Sequence, residues 1–308
     1  MASAAFAKSA ALCIAVLLIL TAPVSAQLRD QLSAYTGLNA TGYVEPLVDA
    51  FAADLSAGLF HSAYIPEGGL QLGLEILFMS VAFSDEDRTF RAITEGGFYP
   101  EQITDAPTVV GQREAVYVDG DGGTQYAFPG GFDVGSLSLV VPQLRIGSLY
   151  GTEALIRFAL YYTGGAGVSK PTLYGIGGRH SVSQHLGTGF PIEMALSAFW
   201  QRFSVGDDER SDDLVTSDAL SVGIHLSKTF GAFEPYTGVS YESFSTRVYY
   251  EGDSPDDVID LTFETDEHVR MTLGLSLNVA FMTAHGEYNF GGQNSLAVGL
   301  ALHHQFMQ

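Results

Sequence analysis

The chain has 308 residues, of which 35 are acidic and 14 are basic, and its net charge is −21. Nucleic acid is therefore not an expected partner, because phosphate binding requires a basic surface. The chain has a single cysteine, Cys13, which excludes a disulfide framework and a cysteine-ligated zinc site.

Residues 1–26 predict a cleaved secretory signal peptide. Lys8 precedes an uncharged apolar run, which is followed by Pro23 and the small-residue pattern Val24–Ser25–Ala26. This order of a basic, an apolar and a small-residue region is typical of an export signal. The alternative is an N-terminal anchor helix, but the apolar run is short for a bilayer span.

Residues 27–55 are predicted to contain a short helical segment that precedes the sheet. Apolar residues recur there at helical spacing, and Pro46 suits the first turn of a helix. Two placements stay open: the helix caps or plugs the mouth of a barrel, or it packs on the periplasmic rim. The candidate plug residues are Val44, Leu47, Phe51 and Leu55.

Several segments within residues 56–308 alternate between apolar and small or polar residues with period two, as strands do. In the segment 69–78, for example, Leu70, Leu72, Leu74, Ile76 and Phe78 share one face. The opposite faces of such segments carry Gly, Ala and Ser with isolated charges, whereas a soluble sandwich would carry many Lys and Glu residues. The pattern predicts an all-β protein, an antiparallel up-and-down transmembrane β-barrel with a short N-terminal helical segment.

The connections predict about 10–14 strands. Long polar or acidic stretches, such as 84–137 and 251–267, alternate with short turns, as in outer-membrane barrels. Counting from Gly69 gives ten strands. The stretch 56–64 also resembles a strand, so either it belongs to a plug or the 84–137 region contains another strand. The last segment, 294–306, is predicted to be the closing strand, with the aromatic Phe306 near the terminus.

The functional hypotheses start from charged residues on the inward face of the predicted strands. These lumen-lining candidates are Glu75, Arg157, His225, Arg270 and Glu287. If they line a free channel, they set its selectivity, and if they pair across the lumen, they are structural. The leading hypothesis is passive passage of small solutes, including hydrophobic ones. The alternative is a structural or surface-interaction barrel with a plugged lumen.

A third hypothesis is a barrel enzyme. His180, Ser181, Ser183 and Glu193 are close in sequence and have the residue types of nucleophilic catalysis. No motif of a barrel enzyme accompanies them, so the prediction is that the protein is not an enzyme and uses no cofactor.

Acidic clusters in the predicted loops give weak candidates for cation binding and no predicted metal site. The loop candidates are Asp207, Asp208, Asp212 and Asp213. Divalent cations could connect such loops to lipopolysaccharide, and the barrel-assembly machinery is a further expected partner. The stretch Asp119–Gly123 resembles a calcium loop but has Gly130 where that loop requires Glu.

Three stretches resemble a family of bacterial outer-membrane barrels of unknown function. They are Tyr43–Ala63, residues 141–158 with an inward Arg157, and residues 175–186 with His180 and Ser181. That family is itself similar to the long-chain fatty-acid transporter (FadL-like) barrels. The resemblance implies residence in the outer membrane of a Gram-negative-type bacterium, an N-terminal segment inside the lumen and hydrophobic solutes.

Overall fold

The computed structural model describes residues 35, 37–160, 171–186, 191–206, 213–251, 258–264 and 267–305. The predicted signal peptide and Phe306 lie outside these residues. The chain divides into two compact units, which are described separately. Among the described residues, one unit contains those up to Phe51 and the segment Ala82–Leu137, and the other contains Ala52–Val81 and those from Ser138 onward.

The second unit is built on a closed antiparallel β-barrel. Ten of its described strands form the ring, and strands are numbered in chain order: β1 Gln71–Ala82, β6 Ser136–Leu149, β7 Thr152–Leu160, β8 Thr172–Ser181, β9 Glu193–Gly206, β10 Asp213–Ser227, β11 Phe233–Glu251, β13 Val269–Val279, β14 Met282–Phe290 and β15 Ser295–Gln305. The ring runs β1–β6–β7–β8–β9–β10–β11–β13–β14–β15, and β15 pairs with β1. A shorter strand, β12 Val258–Glu264, pairs with the end of β11. The prediction of an all-β transmembrane-type barrel with a short helix is confirmed.

The two faces of each strand differ as the period-two pattern predicts. On β15, for example, Leu300 is 45% exposed, whereas its neighbour Ala301 is completely buried. The same alternation occurs on β1, β7, β10 and β13. A belt of large apolar side chains therefore covers the outside of the barrel, and such a surface is suited to lipid.

The closing strand and the connections follow the sequence prediction closely. Strand β15 pairs with β1 over eleven residue pairs, from Gln71–Gln305 to Val81–Ser295. The turns at residues 150–151, 228–232 and 280–281 are short. The last turn lies slightly beyond the predicted position near Leu277 and Asn278, because β13 continues to Val279.

The prediction of a strand at 56–64 was wrong. Only Ser56 of this stretch has regular structure, at the end of a helix, and the stretch lies against the inner side of the barrel wall. Its Leu59 and Phe60 are adjacent in sequence and both are buried, so the two faces of a strand are not distinguished. The alternative, a plug segment, describes it correctly.

The first unit contains two small hairpins within the stretch predicted as one long polar loop. They are formed by β2 Thr89–Ile93 with β3 Ile103–Pro107, and by β4 Val116–Asp119 with β5 Gln125–Phe128. The Asp119–Gly123 stretch connects β4 to β5 through a short 3₁₀ turn.

Helix α1, Gly37–Ser56, begins earlier than the pattern indicates. Pro46 therefore lies inside the helix and not in its first turn, although a proline there removes one backbone hydrogen bond. In the first unit the Asn39 side chain donates to the Ile93 carbonyl at 2.7 Å and accepts from its N–H at 3.0 Å. No helix among the described residues is long and apolar enough to cross a membrane.

Candidate functional site: the occupied lumen

Residues Leu55–Glu67, here called the lumen segment, are contacted by inward-facing side chains of all ten strands of the ring. The contacting residues, in ring order from β1 to β15, are Glu75, Arg145, Arg157, Arg179, Gln201, Ser227, Glu234, Ser276, Glu287 and His303. A segment surrounded by the whole ring lies inside the barrel. The lumen is therefore occupied by the chain's own residues.

Arg157 is the centre of the contacts on one side of the lumen. Its guanidinium donates to the carbonyl oxygens of Leu55 and Ala57, both at 2.7 Å, and its Nε donates to Gln143 at 2.8 Å. Gln201 also donates to the Leu55 carbonyl at 2.7 Å. Since Arg157 is completely buried, these carbonyl dipoles replace the water that its charge would otherwise require.

Carboxylates dominate the opposite side. Glu287 accepts from the backbone N–H of Gly58 at 2.7 Å and from the Tyr236 hydroxyl at 2.9 Å. Glu234 accepts from the hydroxyls of Ser62 and Ser227. Both carboxylates are buried, at 4% exposure each, so these donors stabilise their charges.

Glu75 joins the lumen segment to the wall through a buried charge network. Its carboxylate accepts from Arg145 Nη2 at 2.9 Å and from Gln143 at 3.0 Å, and it contacts His285. On the lumen segment, His61 Nδ1 lies 2.9 Å from Arg145 Nη2, and the His61 ring stacks on His285 with centroids 4.5 Å apart. Because a guanidinium only donates hydrogen bonds, this contact requires an unprotonated Nδ1 on His61.

The same network contains a possible metal-ligand set that Arg145 makes unfavourable. Ligand atoms of His61, Glu75 and His285 all lie within 4.8 Å of one another. Arg145, however, is already hydrogen-bonded to two of these three groups, so a second cation would have to displace it or be repelled by it. We therefore assign no metal to this cluster.

Two further predicted lumen residues contact the wall. Arg270 donates from Nε to Glu242 at 2.8 Å and from Nη1 to Ser295 at 3.3 Å. His225 lies 2.7 Å from the Ser197 hydroxyl, and its ring centroid is 5.1 Å from that of Phe60 on the lumen segment. Glu75, Arg157, Arg270 and Glu287 are thus buried on the inner face, and His225 is half-buried there.

The four candidate plug residues are divided between the two units. Leu55 is 1% exposed and belongs to the barrel unit, where its carbonyl binds Arg157. Val44, Leu47 and Phe51 belong to the first unit, so their role as plug residues stays a prediction.

Asp54 precedes the lumen segment and is a buried carboxyl with both oxygens lacking a hydrogen-bond partner. Burial raises its pKa to about 8, although the nearby Arg270 charge opposes the change. The group is therefore uncharged at neutral pH, which avoids an unpaired buried charge.

The residues of the enzyme hypothesis form contacts at the turn after β8. His180 Nδ1 lies 2.9 Å from Thr152 Oγ1, and Ser183 donates to Glu193 at 2.6 Å. A nucleophilic serine requires a hydrogen bond to its base. In these contacts the Ser183 hydroxyl is directed to a carboxylate and not to a histidine.

Of the acidic loop candidates, Asp207, Asp208 and Asp212 lie outside the described residues. Asp213 begins β10, but its side chain is not among the described ones.

Several central residues of the site escaped the sequence analysis. Arg145, Gln143 and Gln201 lie on inward faces, and the alternation of β6 and β9 could have identified them. His61 gave no such signal, because the stretch around it was interpreted as a strand.

A closed antiparallel barrel with an apolar outer belt and a polar, occupied lumen defines the class: this is a β-barrel of the outer-membrane type. The chain belongs to a family of unknown function (DUF6588), whose profile matches residues 7–304. A comparison with curated proteins gives no match.

Solved structures that resemble this chain are outer-membrane barrels of low sequence identity. The outer-membrane protease OmpT from Escherichia coli is 8% identical, with 79% of this chain and 98% of that chain covered and a TM-score of 0.36. The β domain of the Bordetella autotransporter BrkA is 12% identical, with 75% and 98% covered and a TM-score of 0.32. The translocator domain of NalP from Neisseria meningitidis is 10% identical, with 88% and 100% covered and a TM-score of 0.32. The similarity to fatty-acid transporters stays a prediction.

Proposed function

We propose that this protein is a gated channel for small solutes in the outer membrane of a Gram-negative-type bacterium, closed by its own lumen segment. The observation that carries the proposal is the contact of this segment with side chains of all ten strands. Solutes can pass only after the segment moves. Outer-membrane lipid and lipopolysaccharide surround the barrel, and the barrel-assembly machinery inserts it.

The chemistry of the contacts supports a segment that can move. Most of its bonds join backbone groups to Arg, Gln, Glu and Ser side chains, as at Leu55, Gly58 and Ala63. Water can replace such bonds after release, because the net contribution of one hydrogen bond is about 0.5–1.5 kcal/mol, or about 1.5–3 kcal/mol where one partner is charged. The apolar cluster of Leu59, Phe60, Leu155 and Phe199 opposes release.

The alternative function is a structural or surface-interaction barrel whose lumen stays plugged. The same ten-strand contact favours it, since many bonds must break together before a path opens. We do not propose catalysis, because the Ser183 hydroxyl donates to Glu193.

A disulfide across the segment and the wall distinguishes the two functions. Ala63 N lies 2.9 Å from Ser227 Oγ, so the two Cα atoms are at most about 7 Å apart, which is the upper limit for a disulfide. The only native cysteine, Cys13, lies in the predicted signal peptide. In planar bilayers we expect voltage-induced openings of the wild-type protein, none for oxidised Ala63→Cys/Ser227→Cys, and their return after reduction.

The single variants Ala63→Cys and Ser227→Cys are the matched controls and should still open under oxidising conditions. Ser227→Cys should open at least as readily as the wild type, because it loses the hydroxyl that accepts from the Ala63 N–H. A wild-type protein that never opens would support the permanently plugged barrel. Openings that persist in the oxidised double variant would show that current bypasses the lumen segment.

A further inference from the structure

Two peptide groups of the lumen segment are bound by the barrel wall from both sides. The first is the Ala57–Gly58 peptide. Its carbonyl accepts from Arg157 Nη2 at 2.7 Å, and its N–H donates to Glu287 Oε1 at 2.7 Å. A cationic donor and an anionic acceptor on different strands thus bind the two ends of one peptide dipole.

The second is the Ser62–Ala63 peptide, five residues further along the chain. Its carbonyl accepts from Arg179 Nη1, and its N–H donates to Ser227 Oγ at 2.9 Å. Ser227 in turn donates to Glu234 Oε1 at 2.7 Å. The polarity is the same as at the first group, with an arginine at the carbonyl and a carboxylate, here acting through a hydroxyl, at the N–H.

Other wall residues also bind main chain. Gln201 donates to the Leu55 carbonyl, and Ser276 donates to the His61 carbonyl, both at 2.7 Å. Main-chain groups occur in every peptide, so a wall with these contacts depends little on the side chains of its ligand. The contacts to Ala57, Gly58 and Ala63 in particular involve residues with little or no side chain.

We propose that the lumen is a binding site for peptide main chain, that the lumen segment is its intramolecular ligand, and that short uncharged peptides are the solutes this barrel admits. The proposal rests on the gated channel, since a peptide can enter only where the lumen segment has left. A fatty acid offers one carboxylate, which can pair with Arg157 or Arg179 but not with both, and it has no N–H for Glu287. The groups left without a partner would be buried charges, which is costly.

The test uses the full-length protein with Gly58→Pro and Ala63→Pro. Both substitutions remove an N–H that the wall binds, and Gly58 has a φ of +66°, which proline cannot adopt. The wall residues are unchanged. The probe is a fluorescent synthetic peptide with the sequence of residues 55–66, and its anisotropy reports binding to the barrel in detergent.

We expect the peptide to bind the double-proline variant and to bind the wild-type protein much more weakly, because the intramolecular segment competes. A control peptide with proline at the two positions should bind at least about tenfold more weakly. Glu287→Gln in the double-proline background should weaken the native peptide and leave the control peptide nearly unaffected. Unlabelled laurate should not displace the native peptide.

Equal binding of the two peptides, no binding at all, or displacement by laurate would overturn the peptide site. Conductance of the double-proline variant tests the gate separately. A variant that opens but binds no peptide contradicts only the peptide site. A variant that binds the peptide but stays closed supports the site and contradicts the gate.

Discussion

Replacing Glu75 with glutamine is expected to lower the free energy of unfolding by about 3 kcal/mol, because the buried guanidinium of Arg145 loses the nearer of its two carboxylates. The other carboxylate, Glu153, lies 3.7 Å from Arg145 and offsets part of the loss. Arg145 donates to Glu75 from Nε at 3.1 Å and from Nη2 at 2.9 Å. The side chains of Arg145 and Glu75 are 4% and 0% exposed, so water cannot solvate the guanidinium in place of the lost carboxylate. The change should be measured by urea unfolding in lipid vesicles, followed by circular dichroism of the strands.

The matched control is an ion pair of similar length near the surface. Arg88 and Asp133, in the first unit, are 3.0 Å apart, but their side chains are 30% and 62% exposed. Asp133→Asn should therefore lower the free energy of unfolding by no more than about 1 kcal/mol. Equal costs for the two substitutions would refute the argument that burial, and not distance, decides the strength of these pairs.

Three other predictions concern the lipid face, pH and salt. Leu300→Arg should lower the free energy of unfolding in lipid by about 2–4 kcal/mol, because Leu300 is on the outer belt, and the control Leu300→Ala should lower it less. An arginine tolerated at this position would show that the inner and outer faces are assigned the wrong way round. The pKa of Asp54 is about 8 in the folded protein, and its ordinary value is 3.8. Between these two values the unfolded chain has lost a proton that the folded protein keeps. The free energy of unfolding should therefore fall as pH rises from about 4 to 8. The free energy of unfolding should fall by about 5 kcal/mol at most over this range, as measured by urea titrations at several pH values. Asp54→Asn should reduce this dependence on pH. The control Asp49→Asn, at an exposed position on the same helix, should leave it unchanged. The melting temperature in detergent should rise with NaCl, as the Debye length falls from about 30 Å at 0.01 M to about 3 Å at 1 M, and a temperature independent of salt would remove the electrostatic argument. Asparagine at four aspartates that lie between β9 and β10 in the sequence or begin β10 should reduce this rise; they are Asp207, Asp208, Asp212 and Asp213.

The barrel wall could be predicted from local sequence because each strand carries its own evidence. Leu296, Val298, Leu300 and Leu302 alternate with small residues, and all four are outside in the structure. The inward position of Arg157 and Glu287 follows from the same period. Each assignment depends only on neighbours in the chain, since strand geometry fixes which residues share a face.

The contents of the lumen could not be predicted in this way. Gly58 and Glu287 are separated by 229 positions in the sequence, and the bond between them joins a backbone N–H to a side chain. Every residue except proline has a backbone N–H, so the residue types near Gly58 do not indicate which side chain binds it. The alternation around His61 instead favoured an eleventh strand.

The sequence by itself therefore determined which face of each strand points to lipid and which points to the lumen, because alternation of apolar and small residues is a local property. It also determined which charges face inward. Only the tertiary structure decided whether those charges line an open path or bind something. Arg157 and Glu287 bind main-chain groups of residues 55–67, and Glu75 contacts the His61 side chain. Burial of these three charged groups requires polar partners, and closure of the ring brings the segment within reach of all three.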